Sequence, residues 1–382
     1  MTLADDRTVV RRLFDHIDHK TTDVSESSWR EPVEHYRSEA RLAAEVGSVL
    51  RRHPVPFCPS AALAGAGSYL ARDAAQTPLL VVRGADGAVR AFRNACRHRG
   101  TQLASGAGCE RAFVCPFHGW TYGLDGALRH VPHEYGFLGL DKSTRGLVPV
   151  ACVERSGLVF VTQDGEHGTD ASLADLPPLV ESHWQLAHTS EREVPANWKV
   201  LVEGFLEGYH IRSTHPQTFY PLQFDNLNVV ETFGRNSLVA YPYQAIDKLR
   251  TMPPDEWSVE GKLTYVYHLF PNAMVATFPA NMFLVVLEPL ALDRTLMITY
   301  LLAKAGDGEQ RARASGQPAA LRGLDLVDAG GAEDRAVACA VQRGLASGAN
   351  EFFEFGRFEG AIAHFHRALH TAIDGTPWKE RA

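Results

Sequence analysis

Two cysteines and two histidines sit at spacings suited to metal chemistry: Cys96-Arg97-His98, then sixteen residues, then Cys115-Pro116-Phe117-His118. Each pair offers one thiolate and one imidazole from a short loop. Two thiolates can hold one iron of a [2Fe–2S] cluster while two imidazoles hold the other, which raises the reduction potential above that of an all-cysteine cluster. A Cys2His2 zinc site is the competing reading. Zinc modules usually gather their cysteines in one pair and their histidines in another, whereas each loop here mixes the two. Gly100 and Gly119 follow the histidines, and a missing Cβ there lets backbone amides approach a cluster. Trp120 is placed to shield it, and such shielding tunes potential.

A second constellation follows in Asn197-Trp198-Lys199 … Glu203 … Glu207-Gly208-Tyr209-His210 … His215-Pro216. Residues 198–210 read as a helix, in which Glu203, Glu207 and His210, at spacings of four and three, share one face. Pro216 restricts residue 215 to extended geometry, so the helix should end before it and the chain can turn His215 back toward His210. Two neutral imidazoles and one carboxylate, with open positions left over, form the facial triad of non-haem Fe(II) sites. The carboxylate must come from elsewhere in the chain. Asp334, in Ala332-Glu333-Asp334-Arg335 at an expected helix start, is the best candidate, and Glu333 beside it is the alternative.

Elements must position these groups. Residues 1–50 read as helical, with Leu42, Val46 and Leu50 at four-residue spacing. From Val55 short apolar segments (LLVVRG, VRAFRN, AFVCPF, GLVFVTQD) alternate with glycine-bearing turns, the pattern of a small all-β unit. Both Cys/His pairs fall inside it. A polar stretch from Asp164 to Pro178 reads as a linker, and runs such as LTYVYHLF, AMVATF, FLVVLEPL and TLMITYLL suggest a larger antiparallel sheet. Residues 304–331 read as an exposed loop and 332–346 as a helix. A last helix near 350–374 carries Phe355, Phe358, Ile362, Phe365 and Leu369 as its apolar stripe, with His364, His366 and His370 expected at the surface. The boundaries are therefore 1–54 for an N-terminal helical part of a catalytic domain, 55–165 for the cluster domain and 166–382 for the catalytic domain.

Composition bounds the rest. The chain has 382 residues, enough for about two domains. A formal net charge of −7 argues against a nucleic-acid partner. No stretch approaches a membrane span, and the N-terminus, with acids at positions 5 and 6 and no apolar core, does not read as a secretory signal. Six cysteines in this length are not a disulfide scaffold; Cys58, Cys109, Cys152 and Cys339 read as incidental thiols. Cytoplasm is the expected compartment. No G-x-G-x-x-G fingerprint opens a strand–helix turn, so NAD(P)H should be handled by a partner. Aromatics crowd residues 200–290, among them Phe219, Tyr220, Phe224, Tyr241, Tyr243, Tyr265, Tyr267 and Phe283. A pocket so lined could stack an arene or cage a quaternary ammonium, although strands favour aromatics anyway.

In order along the chain, CRHRG, CPFHGW with TYGLDG, NWK, E-G-Y-H-x4-H-P and EDRAVACAVQRGL resemble the α subunits of Rieske non-haem iron oxygenases, the aromatic-ring-hydroxylating oxygenases. The resemblance implies an α+β fold: a small all-β Rieske [2Fe–2S] domain joined to a helix-grip catalytic domain whose curved antiparallel sheet is flanked by helices. It implies that Cys96 and Cys115 hold one cluster iron and His98 and His118 the other. It makes His210, His215 and Asp334 the ligands of a mononuclear Fe(II). Glu207 becomes a bridge, accepting hydrogen bonds from His210 and from His118 of a neighbouring subunit in a ring-shaped homotrimer. Two departures stand out: the bridge is often Asp in ring dioxygenases, with Glu found in monooxygenases that include those acting on quaternary amines, and the family's Glu-Asn reads Glu203-Gly204 here. The implied activity is that of a terminal oxygenase. It would use O2 and electrons from an NAD(P)H-dependent reductase or ferredoxin to hydroxylate or demethylate a small organic substrate. The alternatives are the α subunit of a ring cis-dihydroxylating dioxygenase and, from another class, an electron-transfer or zinc-binding protein without oxygenase activity.

Overall fold

A computed structural model describes residues 3–165, 171–304 and 324–379. The chain divides into two compact units, one formed by Met1–Leu50 with Ala171–Ala382 and the other by Arg51–Asp170. The fold class is α+β.

In the smaller unit seven antiparallel strands run in the order Val55–Pro59, Leu158–Thr162, Pro149–Arg155, Val89–Arg93, Thr77–Arg83, Ser68–Ala74, Gly106–Cys109. A three-stranded sheet of Ala112–Val114, Thr121–Gly123 and Leu128–His130 completes it. Its strands are short because tight turns interrupt them. At Asp125-Gly126, for example, Gly126 takes φ +81° and a Cβ there would meet the Phe92 ring at 2.4 Å. Leu80, Phe92, Phe113, Trp120 and Tyr122 pack into one core that also includes Cys96 and Cys115.

The larger unit is built on a seven-stranded antiparallel sheet in the order Trp184–Val194, Arg294–Lys304, Asn281–Ala291, Ala273–Thr277, Leu263–Leu269, Asn236–Pro242, Val229–Phe233. Four of these strands are the β-branched and aromatic runs expected from the sequence, Trp184–Val194, Val229–Phe233 and Asn236–Pro242 are additional, and helices pack on both faces of the curled sheet. Val9, Val10 and Leu13 of the helix Asp6–His19 pack on Val229, Ala240 and Leu263. Ile362, Phe365 and Leu369 of the helix Gly360–Ile373 are buried as an apolar stripe. No described helix is long and apolar enough to cross a membrane.

Several local expectations are corrected. Residues 1–50 are not all helical: Trp29–Pro32 is a strand, paired antiparallel with Phe352–Phe355. That pairing also takes residues 352–355 out of the expected last helix, which starts only at Gly360. His364 and His366 are buried, not at the surface. The helix expected over 198–210 stops at Glu203, and a second short helix runs from Ile211 to Thr214. Gly204 and Gly208 both lie in the interval, and glycine is a poor helix residue. Glu203, Glu207 and His210 therefore do not share a helix face. The helix expected over 332–346 spans Leu324–Leu345, so Asp334 lies in its middle. Of the expected loop, residues 324–331 are helical and 305–323 lie outside the described residues, as do residues 166–170 of the expected linker.

Candidate metal centres

In the smaller unit the two Cys/His loops repeat one hydrogen-bonded turn. The Gly100 amide donates to the Cys96 carbonyl at 2.8 Å and the Gly119 amide to the Cys115 carbonyl at 2.9 Å. The Cys96 amide closes on Thr101 at 2.9 Å and the Cys115 amide on Trp120 at 2.8 Å. Gly100 and Gly119 adopt φ +80° and +73°, the left-handed region that side chains resist. Both thiols are buried and in no disulfide, His98 is half-buried and His118 is exposed. The His98 ring stacks on Trp120 at 5.0 Å with 9° between planes, and its centroid lies 4.8 Å from that of His118. Paired unbridged thiols with two imidazoles fit a cluster whose buried iron takes sulfur and whose outer iron takes nitrogen. Tyr122 was not singled out in the sequence. Its hydroxyl accepts from the Arg97 amide at 2.9 Å and lies 3.3 Å from Cys96 Sγ, placed to donate to the sulfur. Burial and the neighbouring thiols push this phenol's pKa up, so it stays a donor.

In the larger unit, Asn197 starts the helix Trp198–Glu203 by accepting from the Lys199 amide at 3.0 Å. Lys199 Nζ, fully buried, donates to both oxygens of Glu45 at 2.8 and 3.0 Å, and Trp198 Nε1 donates to Glu45 at 2.9 Å. The NWK motif is thus the anchor of this helix. The chain then turns, and the Glu207 carboxylate accepts from the amides of Tyr209 and His210, which fixes the turn before His210. Thr214 ends the next helix and His215 follows as its cap, as the neighbouring proline led us to expect.

His210, His215 and Asp334 come together: their donor atoms lie within 4.8 Å of one another. His210 Nδ1 donates to Glu207 at 2.5 Å, and His215 Nδ1 donates to Glu333 at 2.8 Å. Each imidazole therefore carries its proton on Nδ1 and turns the lone pair of Nε2 toward Asp334, whose Oδ1 lies 3.6 Å from His210 Nε2 and 2.9 Å from His215 Nε2. His215 Nε2 is buried and has no aligned hydrogen-bond partner despite this approach. An orphaned lone pair aimed at a carboxylate oxygen is the arrangement a shared cation resolves. Burial alone would depress both histidines. Glu207 and Asp334 outweigh it at His210, and Asp334 and Glu333 at His215, so both pKa values are raised. The same negative field favours a metal cation.

The two acids face different atoms. Glu333 turns away to His215 Nδ1 and accepts from Thr218 Oγ1 at 2.6 Å, which together with His215 lowers its pKa. Asp334 faces the two Nε2 atoms. Glu203, expected beside Glu207, instead accepts from the Tyr36 hydroxyl at 2.6 Å and from His366 Nε2 at 2.9 Å. Three further residues surround the site: Phe219 and Tyr241 stood among the aromatics picked out in the sequence, and Glu359 was missed. Phe219 packs on His215 at 4.7 Å. Buried Tyr241 donates to the Phe205 carbonyl at 2.9 Å, and burial with Glu207 and Asp334 nearby raises its pKa far above the ordinary value. Glu359 is raised to about 7 by burial and by Glu207 and Glu203.

The model of the ring hydroxylating α subunit (catalytic domain) matches residues 181–375, just over half of the chain, and that of the Rieske [2Fe–2S] domain matches residues 53–152. The chain belongs to the ring-hydroxylating α-subunit family. The zinc reading of the Cys/His loops gives way to the cluster. Among relatives of this α subunit, the carnitine monooxygenase oxygenase subunit of Escherichia coli (strain K12) is 32% identical over 209 residues, 52% of this chain and 56% of that protein. The match thus spans little more than half of that relative. Chloroplastic choline monooxygenase of Beta vulgaris is 27% identical over 328 residues, 80% of this chain and 68% of that protein. Two solved structures share the fold. The quaternary ammonium Rieske monooxygenase bound to L-carnitine superposes with a TM-score of 0.74 at 24% identity, covering 97% of this chain and 99% of that one. Naphthalene 1,2-dioxygenase from Rhodococcus sp. bound to indole gives 0.77 at 18% identity, covering 99% and 100%.

Proposed function

We propose that this α subunit is a terminal oxygenase that uses O2 and electrons from an NAD(P)H-dependent reductase or ferredoxin to hydroxylate or oxidatively demethylate a small organic substrate. The observation that carries the reading is the pair of imidazoles locked through Nδ1 by Glu207 and Glu333 and converging through Nε2 on Asp334. Fe(II) held by His210, His215 and Asp334 supplies O2 activation at open coordination positions, and a [2Fe–2S] cluster held by Cys96, His98, Cys115 and His118 supplies electrons singly. The protein residues do the orienting. Glu207 and Glu333 each hold an Nδ1 proton, which fixes tautomer and ring plane and raises ligand basicity. Thr218 steadies Glu333, and Phe219 covers one face of His215.

Substrate class follows from the relatives, which act on carnitine, choline and glycine betaine by name, and from Glu in place of Asp at position 207. A methylated amine is our first choice. Exposure of His118 supports an electron exit at the surface of the cluster unit. In a homotrimer that exit would face Glu207 of a neighbouring subunit. All six cysteines are free of disulfides, which suits the reducing cytoplasm in which we place the protein.

The test is turnover of the purified chain with a reductase and NADH against quaternary amines, aryl methyl ethers and arenes, reading O2 uptake, formaldehyde and products. Hydroxylation or demethylation of a methylated amine supports the reading. A cis-diol from an arene would transfer the chain to the dihydroxylating class. Cluster reduction without O2 uptake on any substrate, together with two rather than three irons per chain, would reduce it to an electron carrier.

A further inference from the structure

The larger unit holds a second group of three metal-type ligands, remote in sequence from His210 and His215: Glu31, His366 and His370, whose donor atoms lie within 4.8 Å of one another. Glu31 comes from the strand Trp29–Pro32, and the histidines from successive turns of the helix Gly360–Ile373. Their i, i+4 spacing puts both rings on one helix face, and His-x3-His is a recurrent zinc-binding spacing. His370 Nε2 lies 2.9 Å from Glu31 Oε1 and His366 Nδ1 lies 3.5 Å from Glu31 Oε2. A third imidazole, His35 Nδ1, lies 2.6 Å from Glu31 Oε1, and Trp29 Nε1 donates to Oε2 at 3.0 Å.

A second observation points into this cluster. His366 is fully buried, and its Nε2–H donates to Glu203 at 2.9 Å, so the neutral ring carries its lone pair on Nδ1. Nδ1 is buried without a hydrogen-bond partner and faces a carboxylate oxygen. This is the arrangement seen at His215, where Glu333 holds one ring nitrogen and the other is orphaned toward Asp334. The Glu31 and Glu203 carboxylates are both buried, and their ion pairs are with histidines alone among those resolved at either group. Buried carboxylates demand a compensating charge, which among these partners only an imidazolium or a bound cation supplies.

We infer that Glu31, His366 Nδ1 and His370 Nε2 form a second site for a first-row divalent cation, zinc by preference. Imidazole and carboxylate ligands suit zinc, and three protein donors leave one of its four positions for water. Binding takes the Nε2 lone pair of His370, so the hydrogen shared with Glu31 must leave that atom: a neutral ring keeps its proton on Nδ1, and a charged ring releases one to solvent. Half-exposed His370 and His35 give the ion a route from solvent. The site ties the N-terminal strand to the C-terminal helix, which frames the helix Trp198–Glu203 through Glu203. The inference is independent of the oxygenase reading.

The experiment is metal counting on the full-length holoenzyme, incubated with Zn2+ and desalted, wild type beside His370→Gln. The expected result is about one zinc per chain more in the wild type than in the variant, with a Tm that Zn2+ raises in the wild type only. Co2+ used as a probe should give visible ligand-field bands in the wild type that the variant lacks. Equal zinc content in the two proteins, or none in the wild type, overturns the proposal. Should His370→Gln fold poorly, the Co2+ spectrum of the wild type decides: no bands at one equivalent overturns the site. A failed mononuclear centre would alter the iron count and leave the zinc difference untouched.

Discussion

The two ends of the helix Trp198–Glu203 meet buried charge in different ways. At its start Glu45 is neutralised by Lys199 at 2.8 Å and by Arg41 at 3.1 Å, with Trp198 as a further donor. At its end Glu203 is met by Tyr36 and His366, and beyond the turn Glu207 is met by His210. A lysine ammonium and an arginine guanidinium present no lone pair; burial pulls the Lys199 pKa down, and Glu45 beside it opposes that shift. The two cations make a fixed anchor and nothing else. An imidazole held by a carboxylate through one nitrogen keeps a lone pair on the other, which is what a metal needs. The helix is thus pinned by cations without a lone pair on one side so that metal-competent groups can be arrayed on the other.

The largest effect should come from breaking the Lys199–Glu45 pair. Lys199→Ala leaves Glu45 buried with only Arg41 and Trp198, and removing one partner of a buried ion pair costs about 3–5 kcal/mol. Urea unfolding of the larger unit, followed by tryptophan fluorescence, should show that loss. A change within 1 kcal/mol would mean that the pair behaves as a surface bridge, and the contrast between the two ends would collapse. Next in size is Glu207→Gln. The amide keeps the shape but not the charge that orients His210, so turnover should fall about 10- to 100-fold while the absorption spectrum of the cluster is unchanged. Retained turnover would show that Glu207 is dispensable to the site.

Histidines without carboxylate partners sharpen the comparison from a third side. His268 and His364 are buried, and burial depresses each pKa to about 4 from 6.5. Between those values the unfolded chain binds more protons than the folded one, so stability falls as pH drops from 6.5 toward 4. The slope should be about 1.4 kcal/mol per pH unit for each histidine. Urea midpoints at pH 7, 6 and 5 read it, and His364→Leu should halve it. An unchanged slope in that variant would remove His364 from the account.

What could be read in advance depended on how local each site is. The two Cys/His pairs sit on loops whose glycines and spacing repeat, so Cys96, His98, Cys115 and His118 were legible as a set. His210 and His215 were legible because Pro216 forces the turn between helix and ligand. The sheet was legible from its β-branched and aromatic runs. The path of the chain between Glu203 and His210 was not, since a spacing of four and three suggests an unbroken helix and only Gly204 and Gly208 argue against it. The Ala/Gly-rich composition around residue 330 disguised the first turns of the helix that carries Asp334, which starts at Leu324. Glu31, His366 and His370 could not be found at all, because a strand pairing between residues 29–32 and 352–355 is what brings such distant segments together.

The smallest effect isolates how the imidazole of His215 is held in place. Phe219 packs on that ring, and Gly330, on the helix that carries Glu333 and Asp334, makes room for it: a Cβ at 330 would lie 2.3 Å from Phe219 Cζ. Gly330→Ala improves helix propensity by about 1 kcal/mol and costs about 1–3 kcal/mol in overpacking, so the net change in Tm should be small. The displaced ring nevertheless pushes on His215, and turnover should drop a few-fold. In a Phe219→Leu background the same glycine substitution should cost little, giving a coupling energy on turnover of about 0.5–1 kcal/mol between positions 219 and 330. Additive effects on turnover would mean that Phe219 does not transmit the glycine's vacancy to the histidine. His215 would then be oriented by Glu333 alone, the same single-carboxylate hold that His366 receives from Glu203.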